Sequence, residues 1–290
     1  MQHSFKALGT TWWIEVFDYL ATDQFEAVIV DIEQLVSVFE DRYSRFKPDS
    51  YLTLLNTNRL LHNPDPSFID LLTYGKNLYT QTSGYFNILT GHILEARGYD
   101  SSYSLVDTGS VNLTPGNPQT DLLLSTEQIV LKHGNVDLGG YGKGYLIDLV
   151  AKRLKEKHAC QFFLINGGGD LYATTNQTKP IEIILEHPTK EQVGIYTTTL
   201  TNQGFAASSP HKRQWPTATG QQNHIVSPTE INPQATFIKA SSAALADALA
   251  TTALVMPPPK LSILIASESV GLATFNPMTN EFTLNTTFTH

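Results

Sequence analysis

Apolar residues recur along this chain at helical spacing in some stretches and in short clustered runs in others. Phe25, Val28, Ile29, Ile32, Leu35, Val36 and Phe39 form one stripe of a helix, with Asp23 placed as its N-cap and Glu26 three residues on. A helix from about Phe68 to Thr82 is started by Asp65-Pro66-Ser67, and a shorter one follows Pro48 with Ser50 as cap. Leu146, Leu149, Val150 and Leu154 predict another, with Asp148 and Lys152 four apart on its outer face. The last helix, Ser242 to Met256, is Ala-rich and stopped by Pro257-Pro258-Pro259.

Strand patterns fill the intervals. Thr11 to Phe17, rich in Trp and β-branched residues, predicts a first strand, and Phe162 to Ile165 a buried one. Gln128 to Leu131 leads through His133-Gly134-Asn135 in a pattern that suggests a hairpin. Beyond Tyr172, runs at Ile181 to Leu185, Val193 to Thr199, Phe205 to Ala207, Ile225 with Val226, and Thr236 to Lys239 alternate with turn residues. Leu261 to Ala266 and Gly271 to Phe275 read as closing strands, with Glu281 to Leu284 as an added edge, and Ser101 to Asn117 reads as loop. The sum is an α+β fold, mainly antiparallel sheet with packed helices. With no repeat and no linker, 1–290 is expected to be one functional domain, large or built of two closely packed parts.

Composition narrows the function classes. A net charge of −8 argues against unspecific binding to nucleic acid or anionic membrane, so any phosphate must be gripped locally. A single cysteine, Cys160, excludes an intramolecular disulfide and a cysteine-rich metal site. No stretch approaches ~20 apolar residues and the first residues carry no export pattern, so no membrane insertion and a cytoplasmic location are expected.

The chemistry concentrates between Val136 and Tyr172. Gly139, Gly140, Gly142 and Gly144 allow close backbone approach before a helix whose start favours anions, and Lys143 adds a fixed positive charge. After the helix and strand, Asn166-Gly167-Gly168-Gly169-Asp170 is a second close-approach turn ending in a carboxylate. Either cluster could be a plain tight turn, and neither matches a nucleotide fingerprint; the spacing alone says anion site.

In the last helix Asp247 sits among alanines, with Thr251 one turn on. A buried carboxylate there needs compensation, either from a hard cation such as Mg²⁺ or from a backbone amide or Arg across a helix contact. His224, on a short strand before Pro228, has the chemistry of a base for a hydroxyl nucleophile. The run Asp41 to Ser50 carries three cations and two aromatics, as a solvated loop would.

Taken in order, LGTTWWIEV, RYSRFKPDSYLTLLN, GYFNILTGHIL, VDLGGYGKGYLID, LINGGGDLY, NHIVSP and ALADALATTAL resemble the motifs of the ApbE family, the Mg-dependent FAD:protein FMN transferases, through nearly the whole chain. The resemblance implies a single-chain α+β fold binding FAD in a cleft between two subdomains. It implies Asp247 and Thr251 as metal ligands, completed by the Gly142 carbonyl, with Lys143 close to the pyrophosphate. Asn166, Gly168, Gly169 and Asp170 would line the dinucleotide pocket, Tyr43 and Ser50 the flavin side, and His224 would be the general base. The implied reaction moves FMN from FAD to a Ser or Thr of an acceptor protein and releases AMP. The alternatives are hydrolysis of FAD to FMN and AMP, or flavin binding without transfer. The chain departs from the pattern at Asn87, at Ala207-Ser208-Ser209-Pro210, at Gly142 where Ala is commoner, and at Ser227, where the family has an acid. The family's acceptor motif is absent, its nearest approach being Asp107-Thr108-Gly109-Ser110, so the acceptor is expected to be another protein.

Overall fold

The computed structural model describes residues 1–100, 104–108, 113–175, 179–211, 214–217, 220–227, 229–232 and 234–289. Pro228, Gly109 and Ser110, and parts of the predicted loop 101–117, lie outside them.

In chain order, β1 (Gln2–Ala7) and β2 (Thr10–Val16) precede the long helix α1 (Thr22–Tyr43), then α2 (Tyr51–Asn58), β3 (Leu60–His62) and α3 (Pro66–Gln81). Short pieces follow: α4 (Gly91–Ala96), α5 (Pro118–Asp121), β4 (Leu122–Leu124) and β5 (Gln128–Leu131). Helix α6 (Gly142–Glu156) leads into β6 (Phe163–Gly167), β7 (Asp170–Thr174), β8 (Ile181–Glu186), β9 (Gly194–Leu200) and β10 (Gln203–Ser208). After β11 (Gln214–Thr217) and β12 (Gly220–Asn223) come β13 (Ala235–Ala240), α7 (Ala243–Val255), α8 (Pro258–Ser267), β14 (Gly271–Asn276), β15 (Glu281–Leu284) and α9 (Thr286–Thr289).

The chain divides into two compact units. Unit 1 is Met1–Val38, Tyr141–Ser209 and Asn232–His290; unit 2 is Phe39–Gly140 and Pro210–Ile231. Unit 1 is built on an eight-stranded sheet in the order β1-β2-β6-β7-β10-β13-β14-β15, antiparallel at every pairing. One face carries Leu171, Phe205, Phe237, Ala273 and Phe275, which form a core with Leu185 and Leu200 of the β8–β9 pair and with Phe288. Lys239 shares that face and is buried, its Nζ donating to the Phe288 carbonyl at 2.7 Å. Burial pushes its ammonium down to about 8.

The opposite face meets α7, whose residues are buried except Leu245 and Thr251. A helix apolar all round belongs in a core, and the alanines let backbones approach closely. A Cβ on Gly204 would lie 2.3 Å from the Ser242 and Ala243 backbone, and one on Gly144 would lie 2.4 Å from the Ala243 carbonyl oxygen. The starts of α6 and α7 are therefore in contact, and each closes the other. Asp148 of α6 accepts from the Ala243 and Ala244 amides at 2.8 and 2.9 Å, beside the Ser242 N-cap; Asp247 of α7 accepts from the Gly144 amide at 3.2 Å. Asp148 thus faces the neighbouring helix rather than solvent, because α7 supplies donors that the sequence around Asp148 cannot reveal.

Unit 2 holds the three-stranded sheet β3-β5-β4 and the pair β11-β12. Its helices follow their signals: Ser50 Oγ accepts from Thr53 N to cap α2, and Asp65 caps α3 with Pro66 in the first turn. The predicted hairpin after Leu131 does not form, since β5 pairs with β3 and β4 and residues 136–138 run as irregular chain.

Other expectations are corrected. Asp23 lies inside the first turn of α1, which starts at Thr22 with Gln24 Oε1 accepting from the Ala21 amide at 3.0 Å. Residues 261–266 are helix α8, not a strand: Leu261, Leu264 and Ile265 are buried while Ile263 is 72% exposed, a helical period, and the prolines start this helix as well as ending α7. Ile225 and Val226 lie beyond the end of β12. Cys160 is buried, which pushes its thiol up and leaves it unreactive. Among the described residues no helix is long and apolar enough to cross a membrane.

Burial raises the Asp148 carboxyl from 3.8 to about 6 despite its two backbone donors. The folded chain then binds more protons than the unfolded one between those values, so this residue's stabilising contribution is full below about pH 4 and is lost as pH rises through about 6. In urea titrations at pH 4 and pH 7, Asp148→Asn is expected to remove a fall of order 1–3 kcal/mol that the wild type shows across this window. An unchanged fall in the variant would assign it to other groups.

Candidate active site

In unit 1, α6 opens at the end of the first Gly cluster, with Gly142 as its buried first residue. Lys143, the next residue, pairs with Asp170 of β7, and its Nζ lies 3.7 Å from Asp247 Oδ2. Asp170 and Asp247 are 5% and 8% exposed, so both carboxylates sit where an uncompensated charge would be costly. Lys143 supplies one full positive charge between them, and the abutting helix starts add partial positive charge. The second Gly cluster shapes the wall: Gly168 and Gly169 have φ of +78° and +104°, and a Cβ on Gly168 would lie 2.5 Å from Thr10 Oγ1, whereas one on Gly169 would meet nothing. Backbone is thus presented openly at Gly169 beside Asp170.

The two sequence clusters therefore converge, but not through every residue. Asn166 pairs with Trp13 and Leu171, on the sheet face opposite Asp170, and its Oδ1 accepts from Gly169 N at 2.9 Å. Its side chain closes the turn. Thr251 lies one turn beyond Asp247 on α7 and is half-buried. Of the compensations foreseen for Asp247, the backbone amide is present as Gly144 N, and a cationic side chain nearby is Lys143 rather than an Arg. Among the described residues no three His, Cys, Asp or Glu side chains gather as a metal cage. The residues that the resemblance names, Asp247, Thr251 and the Gly142 carbonyl, offer only oxygen with one carboxylate, chemistry that would suit a hard cation that keeps much of its water.

In unit 2, Tyr43 and Ser50 turn inward. The Tyr43 ring stacks on Phe68 at 5.3 Å with its hydroxyl 2.8 Å from Ser67 Oγ, and Ser50 is 1% exposed as the α2 cap. Neither offers its side chain outward; they set the backbone of the segment between them. The cations of that segment divide: Arg42 pairs with Asp65 and Lys47 with Asp41 near the surface, while Arg45 turns in to Asp137 at 3.2 Å, both side chains largely buried.

His224 follows β12 and is half-buried, with its ring tilted against Tyr99 at 6.5 Å. Tyr99 stacks on Trp215 at 5.8 Å and carries the Arg45 guanidinium 4.3 Å above its ring. These neighbours, and Arg97, escaped the sequence because each is remote in the chain; Trp215, a large aromatic between turn residues, was the one local hint. Two of the departures, Ser227 and Asn87, have physical accounts. Ser227 Oγ accepts from Thr229 N at 3.1 Å, the turn bond a carboxylate could also make. Asn87 donates to the Gly116 carbonyl and accepts from Leu89 N, and a carboxylate could do only the second.

A lysine set between two buried carboxylates at a helix start, in an antiparallel-sheet α+β protein, concentrates charged groups at one point and marks the candidate site. The ApbE family model matches residues 8–275, and the chain belongs to the ApbE family. Among characterised relatives, the FAD:protein FMN transferase of Haemophilus influenzae is 24% identical over 230 residues, which cover 71% of this chain and 65% of that protein, just under two thirds. The Escherichia coli FAD:protein FMN transferase is 23% identical, covering 93% of this chain and 82% of that protein. The ApbE protein of Thermotoga maritima superposes with a TM-score of 0.80 at 19% identity, over 100% of this chain and 99% of its own. The Pseudomonas stutzeri flavinyl transferase ApbE, in its apo form, superposes with a TM-score of 0.77 at 19% identity, covering 99% and 96%. These two establish the shared fold.

The Gly144 contact generates a test. In Gly144→Ala, a methyl 2.4 Å from the Ala243 carbonyl oxygen must push α6 off α7 and stretch the Asp247 bond, lowering stability by about 1–3 kcal/mol in urea unfolding. A wild-type midpoint would show that the helices are free to separate.

Proposed function

We propose that this protein is an FAD:protein FMN transferase: it transfers FMN from FAD to a Ser or Thr hydroxyl of a separate acceptor protein and releases AMP. The observation that carries the reading is Lys143 held between Asp170 and Asp247 at the start of α6, in a chain of the ApbE family. A fixed cation beside open glycine backbone suits a pyrophosphate, and a helix start favours the same charge. In this reading Lys143 binds the pyrophosphate, while Gly168, Gly169 and Asp170 line its path, with Asn166 holding their turn. Tyr43 and Ser50 fix the backbone of the flavin-side segment from within unit 2.

Asp247 and Thr251, with the Gly142 carbonyl, would hold Mg²⁺, which when bound supplies charge neutralisation on the phosphates and on departing AMP. His224 takes the proton from the acceptor hydroxyl. The oxygen then bonds to the phosphorus on the FMN side as the bond between that phosphorus and the bridging oxygen breaks, and AMP leaves with the bridging oxygen and its electron pair. Orientation of these groups carries most of the acceleration.

Incubation of the protein with FAD, Mg²⁺ and a domain bearing the family's acceptor motif, followed by AMP assay and intact mass, tests the reading. An acceptor gaining the mass of FMN with release of AMP is expected. Asp247→Ala should lose Mg²⁺-dependent AMP release by at least ~10²-fold, and His224→Gln should lose acceptor labelling by about 10²–10⁴-fold. FMN and AMP without labelling would make the protein a hydrolase, and FAD binding without products would make it a flavin-binding protein.

A further inference from the structure

The segment that carries His224 is laced from both sides by residues that no part of the reaction above uses. On the chain side, Ile225 N donates to Asn223 Oδ1 at 2.8 Å, a tight turn with His224 at its centre. Arg97, half-buried at the end of α4, donates from Nη1 to the Ile225 carbonyl at 2.9 Å. Trp215, 3% exposed on the strand that pairs with β12, donates from Nε1 back to the Arg97 carbonyl at 2.8 Å. Arg97 is thus held by the strand whose partner leads into His224, and itself holds the residue that follows.

On the ring side, Tyr99 packs against both Trp215 and Arg45. The Trp215 and Tyr99 rings are nearly parallel at 14°, His224 is tilted 49° against Tyr99, and the Arg45 guanidinium covers the Tyr99 ring and is anchored by Asp137. A cation over an aromatic face and a stacked aromatic pair each hold the ring that they contact. Tyr99 is therefore fixed independently of His224 and presents a rigid wall to the imidazole.

We propose that Arg97 and Tyr99 are positioning residues for His224: Arg97 fixes the backbone that carries the imidazole, and Tyr99, held by Trp215 and Arg45, fixes its ring plane. This rests on His224 acting as the base. A base that must meet one hydroxyl proton at hydrogen-bonding distance is sensitive to displacements of about an ångström, which can cost about 10²-fold.

The test compares Arg97→Met with Arg97→Lys and Tyr99→Leu with Tyr99→Phe in the full chain, measuring kcat and KM for FAD in transfer to the acceptor domain. The His224 ring resonance is followed by NMR and assigned by its loss in His224→Gln. Arg97→Met and Tyr99→Leu are expected to lower kcat about 10–10²-fold with KM for FAD held within about twofold, and to move the His224 ring resonance out of the shift set by its aromatic wall. Lys at 97, which can still donate, and Phe at 99, which keeps the wall, should restore most of the loss. Should Arg97→Met fail to fold, the half-buried Tyr99 pair carries the test alone. Wild-type kcat in Arg97→Met or Tyr99→Leu, alongside an inactive His224→Gln, overturns the positioning role and leaves the base standing. Full transfer by His224→Gln overturns the base, and the positioning role with it.

Discussion

The structure of unit 1 turns on the contact between the first turns of α6 and α7. Two helix starts brought together oppose each other, since each carries partial positive charge and amides without intrahelical partners. The chain resolves this reciprocally, with Asp148 of α6 on the amides of α7 and Asp247 of α7 on an amide of α6. Gly144 and Gly204 make the approach possible, one from α6 and one from the sheet, since any side chain at either would strike α7 backbone. The Ala-rich composition of α7 has the same cause. From this contact follows the placement of Lys143, which, as the second residue of α6, is delivered between Asp247 and Asp170.

Charge at that point is balanced by competition. Two buried carboxylates, one ammonium and two helix starts share a small volume, and each group is tolerable only because the others are present. Asp148, with two amide donors, is still pushed upward by burial, so desolvation outweighs hydrogen bonding there. Asp247 serves structure and candidate chemistry with the same carboxylate.

Unit 2 solves a different problem, holding a small, half-exposed segment still. The stretch around His224 has almost no regular structure of its own, so its order comes from side chains reaching over from α4 and β11. Its sequence can vary where the variant residue makes the same local bond, as Ser227 does, and Asn87 illustrates the same tolerance elsewhere in the unit. Tyr43 and Ser50 belong to this logic too, being internal supports whose position in a motif says nothing of which way they point.

What the sequence determined by itself was local. The stripe of α1, the helix starts at Ser50 and Asp65, and the glycine turn at Gly168 and Gly169 follow from periodicity, capping and backbone freedom, and each needs only near neighbours. The ordered motifs also carried the family, because order and spacing survive where identity has fallen. Residues 261–266 misled because a short apolar run fits strand or helix until burial separates Ile263 from Leu264. Only the tertiary structure decided that Asp148 faces α7, that Asn166 and Asp170 lie on opposite sheet faces, and that Arg45 leaves its surface neighbours to cover Tyr99. The reason is common to all three: hydrogen-bond, charge and ring partners lie tens of residues away in the chain, and a sequence states which groups a side chain carries but not which distant groups the fold brings to meet it.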